Sequence, residues 1–157
     1  MAEVSFKIPG LIVWASRTGK TQLVCERVAE VLTSAGISVE TVHVSDFRES
    51  PLSRPFLIAA SPTYGSGDLH PDWDRLERSW RDADFHGLLA AVLGCGSLRY
   101  PQPFGAVEIL ETRLKNQGAK LLIPSCKIDT LTGLRVRDCD PWAQELARVL
   151  HEIETKN

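Results

Sequence analysis

Three stretches of the chain are apolar without interruption: LIVW at 11–14, FLIAA at 56–60 and LLAAVL at 88–93. Runs with no polar alternation are the mark of strands buried on both faces, as in the centre of a parallel sheet. After each run the period changes. Val24, Val28, Val31, Leu32 and Ala35 follow the first at helical spacing and stop at Gly36, a left-handed cap. Trp73, Leu76 and Trp80 follow the second, and Val107, Leu110 and Leu114 predict a helix over 104–117 closed by Gly118. A second strand is expected over 37–44 and a last one over 120–128, before Trp142, Leu146, Val149, Leu150 and Ile153 stripe a final helix. The polar stretch 45–54 returns the chain to the sheet, and 129–140 reads as a loop or small hairpin. Residues 1–9 read as a leader ending in a kink at Pro9 and Gly10, with 10–157 as one domain. Regular alternation of strand and helix predicts an α/β protein with a five-stranded parallel sheet and helices on both faces.

Composition narrows the class. A chain of 157 residues, 43% hydrophobic, suits a single core. A net charge of −2 with scattered basic residues argues against nucleic acid or an anionic membrane as partner. No apolar run approaches a membrane span and the N-terminus lacks the pattern of a signal peptide, so a cytoplasmic protein is expected. Cys25, Cys95, Cys126 and Cys139 are far apart, with no C-x-x-C or His-Cys cluster; reduced thiols and no metal are the reading.

The chemistry starts where the first strand breaks into ASRTGKT. Ser16, Thr18 and Thr21 offer hydroxyls, Gly19 lets backbone approach an anion, and a helix begins with its positive end facing the loop, flanked by Arg17 and Lys20. This describes a phosphate site, and two loop types compete for it. The nucleotide P-loop G-x-x-x-x-G-K-[ST] would need a glycine where Trp14 stands, and no later strand is expected to end in the aspartate that holds magnesium. The alternative, S/T-x-T-G-x-T directly after strand 1, is met at every defining position from Ser16 to Thr21.

The second and third apolar runs end in SPTYGSGDLHPDW and GCGSLRYPQPFGA. Loops at the carboxyl ends of central strands meet at one edge of a doubly wound sheet. Each carries one tyrosine among glycines, Tyr64 and Tyr100. Two aromatic plates and an anion hole describe a phosphorylated heteroaromatic cofactor. The candidate residues are Ser16, Arg17, Thr18, Gly19, Lys20 and Thr21 in loop one; Ser61, Pro62, Thr63, Tyr64, Gly65 and Gly67 in loop two; and Cys95, Gly96, Ser97, Arg99, Tyr100 and Phe104 in loop three. His43 reads as a strand-face residue and His70 as a solvated loop histidine. Cys95 in C-x-x-x-R is too close to Arg99 for a C-x₅-R phosphatase loop, and reads as a small buried residue.

SRTGKT, SPTYGSGDL and GCGSLRYPQPFGAVEILETRLKNQGAK occur in that order, and with them the chain resembles the short-chain flavodoxin family over about 11–150. The T-Y-G-x-G-D-L form of loop two is nearer to MioC-type proteins and diflavin reductase FMN domains than to the acidic carriers. The resemblance implies a flavodoxin-like sheet in the order 2-1-3-4-5 and FMN as cofactor. It implies that Tyr64 covers the inner face of the flavin and Tyr100 the outer, and that the Gly65 peptide turns over to meet N5 when that atom is protonated. It also implies an electron carrier, not an enzyme, serving an NAD(P)H-dependent flavodoxin reductase and an unknown electron-accepting protein, as a monomer or as an accessory redox subunit. Departures are Lys20 in place of asparagine, Arg17 beside it, Ser97 in place of aspartate, and a net charge far from strongly acidic; together they predict a milder reductant. Two other classes stay open: an NTP- or phosphate-binding switch using Arg17 to Thr21, and a flavin-free interaction module of the same fold.

Overall fold

The structure is a computed structural model that describes residues 6–156. The sheet is built from β1 (Gly10–Trp14), β2 (Val39–His43), β3 (Leu57–Tyr64), β4 (Asp68–Leu69), β5 (Leu89–Gly96), β6 (Lys120–Leu121) and β7 (Cys126–Asp129). Its helices are α1 (Lys20–Ser34), α2 (Asp74–Trp80), α3 (Gly105–Asn116) and α4 (Asp140–Lys156). The sheet order is β2-β1-β3-β5-β6, with β7 continuing beside β5 and β4 pairing back onto β3. All pairs except β3–β4 are parallel. The predicted order 2-1-3-4-5 is therefore present, with β6 and β7 together forming the last strand.

The apolar runs are continuous because both faces of the sheet are covered. Ile12, Ile58, Ala60, Ala91 and Leu93 face a core closed by Val24, Cys25, Val28 and Leu32 of α1 and Ala143, Leu146, Ala147 and Leu150 of α4. Their neighbours Leu11, Val13, Leu57, Ala59, Ala90 and Val92 face Trp73, Leu76 and Trp80 on one side and Val107, Leu110 and Leu114 of α3 on the other. Burying a side chain of this size stabilises by roughly 1.5–3 kcal/mol, so the shared sheet anchors both layers.

Several boundaries differ from the sequence reading. Strand 2 is only Val39–His43, because Ile37 is spent on the cap after α1, where its N–H reaches Leu32 O at 2.9 Å past Gly36 in the left-handed region (φ 86). β3 runs on to Tyr64 and folds back as a hairpin with β4, pairing Thr63 with Leu69 and Tyr64 with Asp68. The last strand is broken at 122–125. Leu89 pairs with Lys120 but Leu93 with Cys126, so the outer strand inserts two extra residues around Pro124, which has no N–H to offer. Of the two readings of 129–140 the loop is the one present: between β7 and α4 the chain makes a turn closed by Gly133 N–H on Thr130 O and then the 3-10 turn Val136–Cys139. The leader reading falls partly on residues 1–5, outside the described residues; Phe6 packs its ring against Phe56, 6.0 Å between centroids. No helix among the described residues is long and apolar enough to cross a membrane.

Candidate functional site: a cleft at the carboxyl edge of the sheet

β1, β3 and β5 lie side by side with Trp14 level with Ala60, Pro62 with Cys95 and Gly96 with Asp129, so the segments leaving them open on one edge. The first is a phosphate-sized turn. Trp14 is still strand, its indole edge-on to His43 at 4.8 Å, and the chain leaves the sheet after the Ala15 N–H has bonded Ala60 O. Gly19 then caps α1 at φ 87, ψ −6, with nothing within 4 Å of where a Cβ would stand; backbone angle, not crowding, calls for glycine here. No side chain caps this helix end, and among the described residues none of the N–H groups of Thr18 to Gln22 has a protein acceptor. Two hydroxyls share that state: Ser16 Oγ and Thr21 Oγ1 are buried without a partner, although Thr21 is only 1% exposed. A buried unpaired hydroxyl costs about 1–3 kcal/mol. Donors gathered at a helix N-terminus with no protein acceptor fit a bound phosphate.

Loop two is held by its neighbours. Thr63 Oγ1 accepts the Ala106 N–H at 3.2 Å, and the buried Trp73 donates its indole N–H to Ala60 O at 3.1 Å. Gly65 and Gly67 have positive φ (53° and 116°), and Gly67 lies against the start of α3, its carbonyl O 2.2 Å from where a Cβ on Gly105 would be. Tyr64 is half-buried; the Arg17 guanidinium lies 5.2 Å from its ring centroid and His70 meets it edge-on at 5.3 Å. His70 is 8% exposed, which corrects its reading as a solvated loop residue.

Loop three turns between Ser97 and Tyr100, whose backbones are bonded at 3.0 Å. It is tied to the segment after β7: Thr130 N–H donates to Gly96 O at 2.8 Å, and Leu98 and Leu131 N–H both donate to Asp129 Oδ1 at 3.0 Å. β7 thus does end in an aspartate, contrary to the sequence reading, but its carboxylate is engaged in closing these two turns. Tyr100, Leu98 and Leu131 are 53%, 59% and 48% exposed at the rim.

The loops enclose a cavity of about 320 Å³, within the roughly 300–1,000 Å³ span of ligand sites. Ser16, Arg17, Thr18, Lys20, Thr21, Pro62, Thr63, Cys95, Gly96, Ser97, Arg99 and Tyr100 line it, as the sequence reading grouped them. An adjoining space of about 150 Å³ shares Arg17, Thr63 and Tyr100 and adds Gly65. Gly19, Ser61, Tyr64, Gly67 and Phe104 do not line the main cavity. Ser61 lies beneath, 1% exposed, with its hydroxyl donating to Pro62 O, and Phe104 packs into the core under Lys127. Thr130 and Leu131 do line it and were missed; a strand next to β5 must open its own loop on the same edge, and that was the available signal.

Arg17, Lys20 and Arg99 line the cavity with no carboxylate among the lining residues, and none of the three is in an ion pair among the described residues. Burial pushes the Cys95 thiol up to about 11, against the Thr21 hydroxyl and the Lys20 charge, which lower it; the Thr21 oxygen has no partner at bonding geometry, and Cys95 stays a neutral wall. The four cysteines are free and buried. The arrangement is suited to an anion beside a flat group, and among the described residues lining the cavity no nucleophile is paired with a base.

The chain is similar to known proteins in both sequence and fold. The flavodoxin family model matches residues 12–142. The flavodoxin of Maridesulfovibrio salexigens is 34% identical over 123 residues, covering 76% of this chain and 84% of that protein. Protein MioC of Escherichia coli K12 is 33% identical over 124 residues, covering 76% and 82%. Oxidised flavodoxin 2 from Bacillus cereus superposes with a TM-score of 0.80 at 25% identity, over 91% of this chain and 97% of that one. Fusobacterium nucleatum flavodoxin, solved bound to flavin mononucleotide, does so at 0.67 and 19% identity, over 93% and 96%. With its last strand interrupted by four residues only, the chain belongs to the short-chain flavodoxin family.

Proposed function

We propose that the cleft binds FMN and that the protein carries electrons between redox partners. The observation that carries this reading is the pair of buried hydroxyls on Ser16 and Thr21, left without partners beside the free N–H groups of the α1 N-terminus. Thr18, Thr21 and the backbone of Arg17, Gly19 and Lys20 hold the phosphate, with Lys20 and Arg17 supplying charge. Tyr64 and Tyr100 cover the two faces of the ring; Pro62, Thr63, Gly65, Gly96 and Ser97 bring backbone to its edge. FMN supplies the electron-accepting ring, and the chain supplies position and electrostatics, so the protein is a carrier and not an enzyme. Purified protein should be yellow, with the absorbance bands of oxidised flavin and acid-releasable FMN in equimolar amount. Colourless protein that stays colourless with added FMN would overturn the reading. Magnesium-dependent nucleotide binding would favour the phosphate switch.

Thr21→Val separates ligand binding from folding. Removing an unpaired buried hydroxyl should stabilise the FMN-free protein by about 1 kcal/mol in urea, while FMN affinity falls about tenfold with the lost donor. A variant that loses stability and keeps affinity would place the hydroxyl outside the phosphate site.

The partners we infer are an NAD(P)H-dependent flavodoxin reductase and an electron-accepting protein that dock on the rim. Leu69, Leu98, Pro101 and Pro103 supply its apolar part, and Arg99 offers a charge free for one specific ion pair. The acids Asp68, Asp72 and Asp74 follow loop two while Arg17, Lys20 and Arg99 belong to loops one and three, so the face is electrically mixed and broad steering is weak. Stopped-flow reduction by a generic flavodoxin reductase should be slow and change little across a salt series, and Arg99→Glu should slow the native reaction. A fast rate that collapses with salt would show an acidic patch steering instead.

A further inference from the structure

Behind Tyr64 lies a pair of histidines that the flavin reading leaves unused. His43 Nδ1 accepts the Ser45 N–H at 3.1 Å and His70 Nδ1 accepts the Asp72 N–H at 3.0 Å, each capping a 3-10 turn, Val44–Asp46 and Pro71–Trp73. A nitrogen that accepts carries no proton, which assigns both neutral rings as Nε2–H. Asp72 sits between them, its Oδ2 3.4 Å from His43 Nε2 and 3.7 Å from His70 Nδ1. His70 also donates its backbone N–H to the buried Ser61 Oγ at 3.3 Å and sets its ring at 80° to Tyr64. It therefore braces the hairpin that carries Tyr64 from below.

We propose that neutral His70 is the positioning residue that holds Tyr64 and its hairpin ready for the flavin, and that its protonation opposes FMN binding. The proposal rests on the FMN reading above. A proton arriving from solvent at Nδ1 sets two donors, Nδ1–H and the Asp72 N–H, against each other. The cap bond is lost, and the new N–H turns towards the Asp72 carboxylate. The charged groups facing the ring are Asp72 and Asp74 from its own turn and α2, His43 from β2 and Arg17 from loop one. Burial is the strongest influence and lowers the pKa of His70; Asp72 raises it, His43 and Arg17 lower it, and Asp74 raises it. A flavin ring stacked on Tyr64 removes more water and lowers it, whereas a phosphate paired with Arg17 raises it, so the cap bond decides the direction. Only the neutral ring keeps the cap that holds the Tyr64 hairpin, so the loaded protein holds fewer protons than the free one, and affinity is full above the free protein's His70 pKa and falls as the pH drops below it. The fall is at most about tenfold per pH unit and ends at the loaded protein's own pKa.

The test compares FMN titrations of the wild type and His70→Asn from about pH 8 to about pH 5, the range in which histidine charges. A phosphate monoester also gains a proton near pH 6, so the ratio of the two dissociation constants is the quantity to read. Asparagine's carbonyl accepts an N–H two residues on, as His70 does, but does not titrate. The variant keeps the cap but not the ring against Tyr64, so it should bind FMN more weakly than the wild type at the upper pH, and the ratio of the wild-type to the variant dissociation constant should rise about tenfold towards the lower pH. In parallel, proton NMR of the wild type, with only 4 histidines to resolve, should show the His70 midpoint lower with FMN than without. A constant ratio, or a midpoint unchanged or raised by FMN, overturns the proposal while leaving FMN binding intact; if His70→Asn does not fold, the NMR midpoints alone decide. No FMN binding at any pH overturns both this proposal and the reading beneath it.

Discussion

Thr18→Asp should abolish FMN binding at micromolar concentrations. Thr18 is exposed to the cavity at the centre of the phosphate turn, one residue before the Gly19 cap. A carboxylate there faces the phosphate at a few ångströms. At about 5 Å and an effective dielectric of about 20, each pair of unit charges costs roughly 3 kcal/mol, and the dianion about doubles it. That corresponds to roughly 10²- to 10⁴-fold in affinity. Lys20 and Arg17 offset part of the repulsion, but neither is fixed on Thr18. Thr18→Ser, which keeps the hydroxyl, should bind nearly as the wild type does. Circular dichroism of both variants should match the wild type, because the side chain is at the surface. Unchanged affinity in Thr18→Asp would remove loop one from the phosphate site.

Gly96→Ala should cost both stability and cofactor. A Cβ on Gly96 would stand 1.7 Å from the Pro103 carbonyl O and 3.3 Å from the Phe104 ring, so loop three must move by more than an ångström. That loop carries Ser97, Arg99 and Tyr100, and the Gly96 carbonyl accepts the Thr130 N–H that closes the far wall. Overpacking of this kind costs about 1–3 kcal/mol. Denaturation of the FMN-free variant should show a loss of that size, and its FMN affinity should fall at least about tenfold as Tyr100 leaves the ring. Gly19→Ala is the informative contrast, since its Cβ meets nothing and only the backbone angle is strained. Gly96→Ala with wild-type stability and affinity would mean that loop three closes in another way.

What the sequence made legible follows the range of each signal. The three central strands could be read because burial on both faces leaves an unbroken apolar run in each, and the helices because one stripe of each is apolar. The phosphate turn could be read because its donors are adjacent in sequence. The β3–β4 hairpin was hidden: β4 is two residues long, and TYGSGDL shows glycines before it shows pairing. The break in the last strand came from Pro124 within an otherwise apolar stretch. The burial of His70 depends on Ser61 and Tyr64, which adjoin it only after the hairpin forms. Thr130 and Leu131 entered the site because β7 lies beside β5, a neighbour relation that no local pattern encodes.

A loop one that recognises a phosphate selects FMN over the bare flavin ring. The FMN-free protein is titrated with FMN and with riboflavin, which has the same ring and no phosphate, and the quenching of flavin fluorescence is followed. Binding of FMN should be saturable and equimolar, with riboflavin weaker by about 100-fold or more, since charge-assisted hydrogen bonds to the phosphate are worth roughly 1.5–3 kcal/mol each. Equal affinity for the two flavins, or binding of neither, would contradict phosphate recognition by loop one.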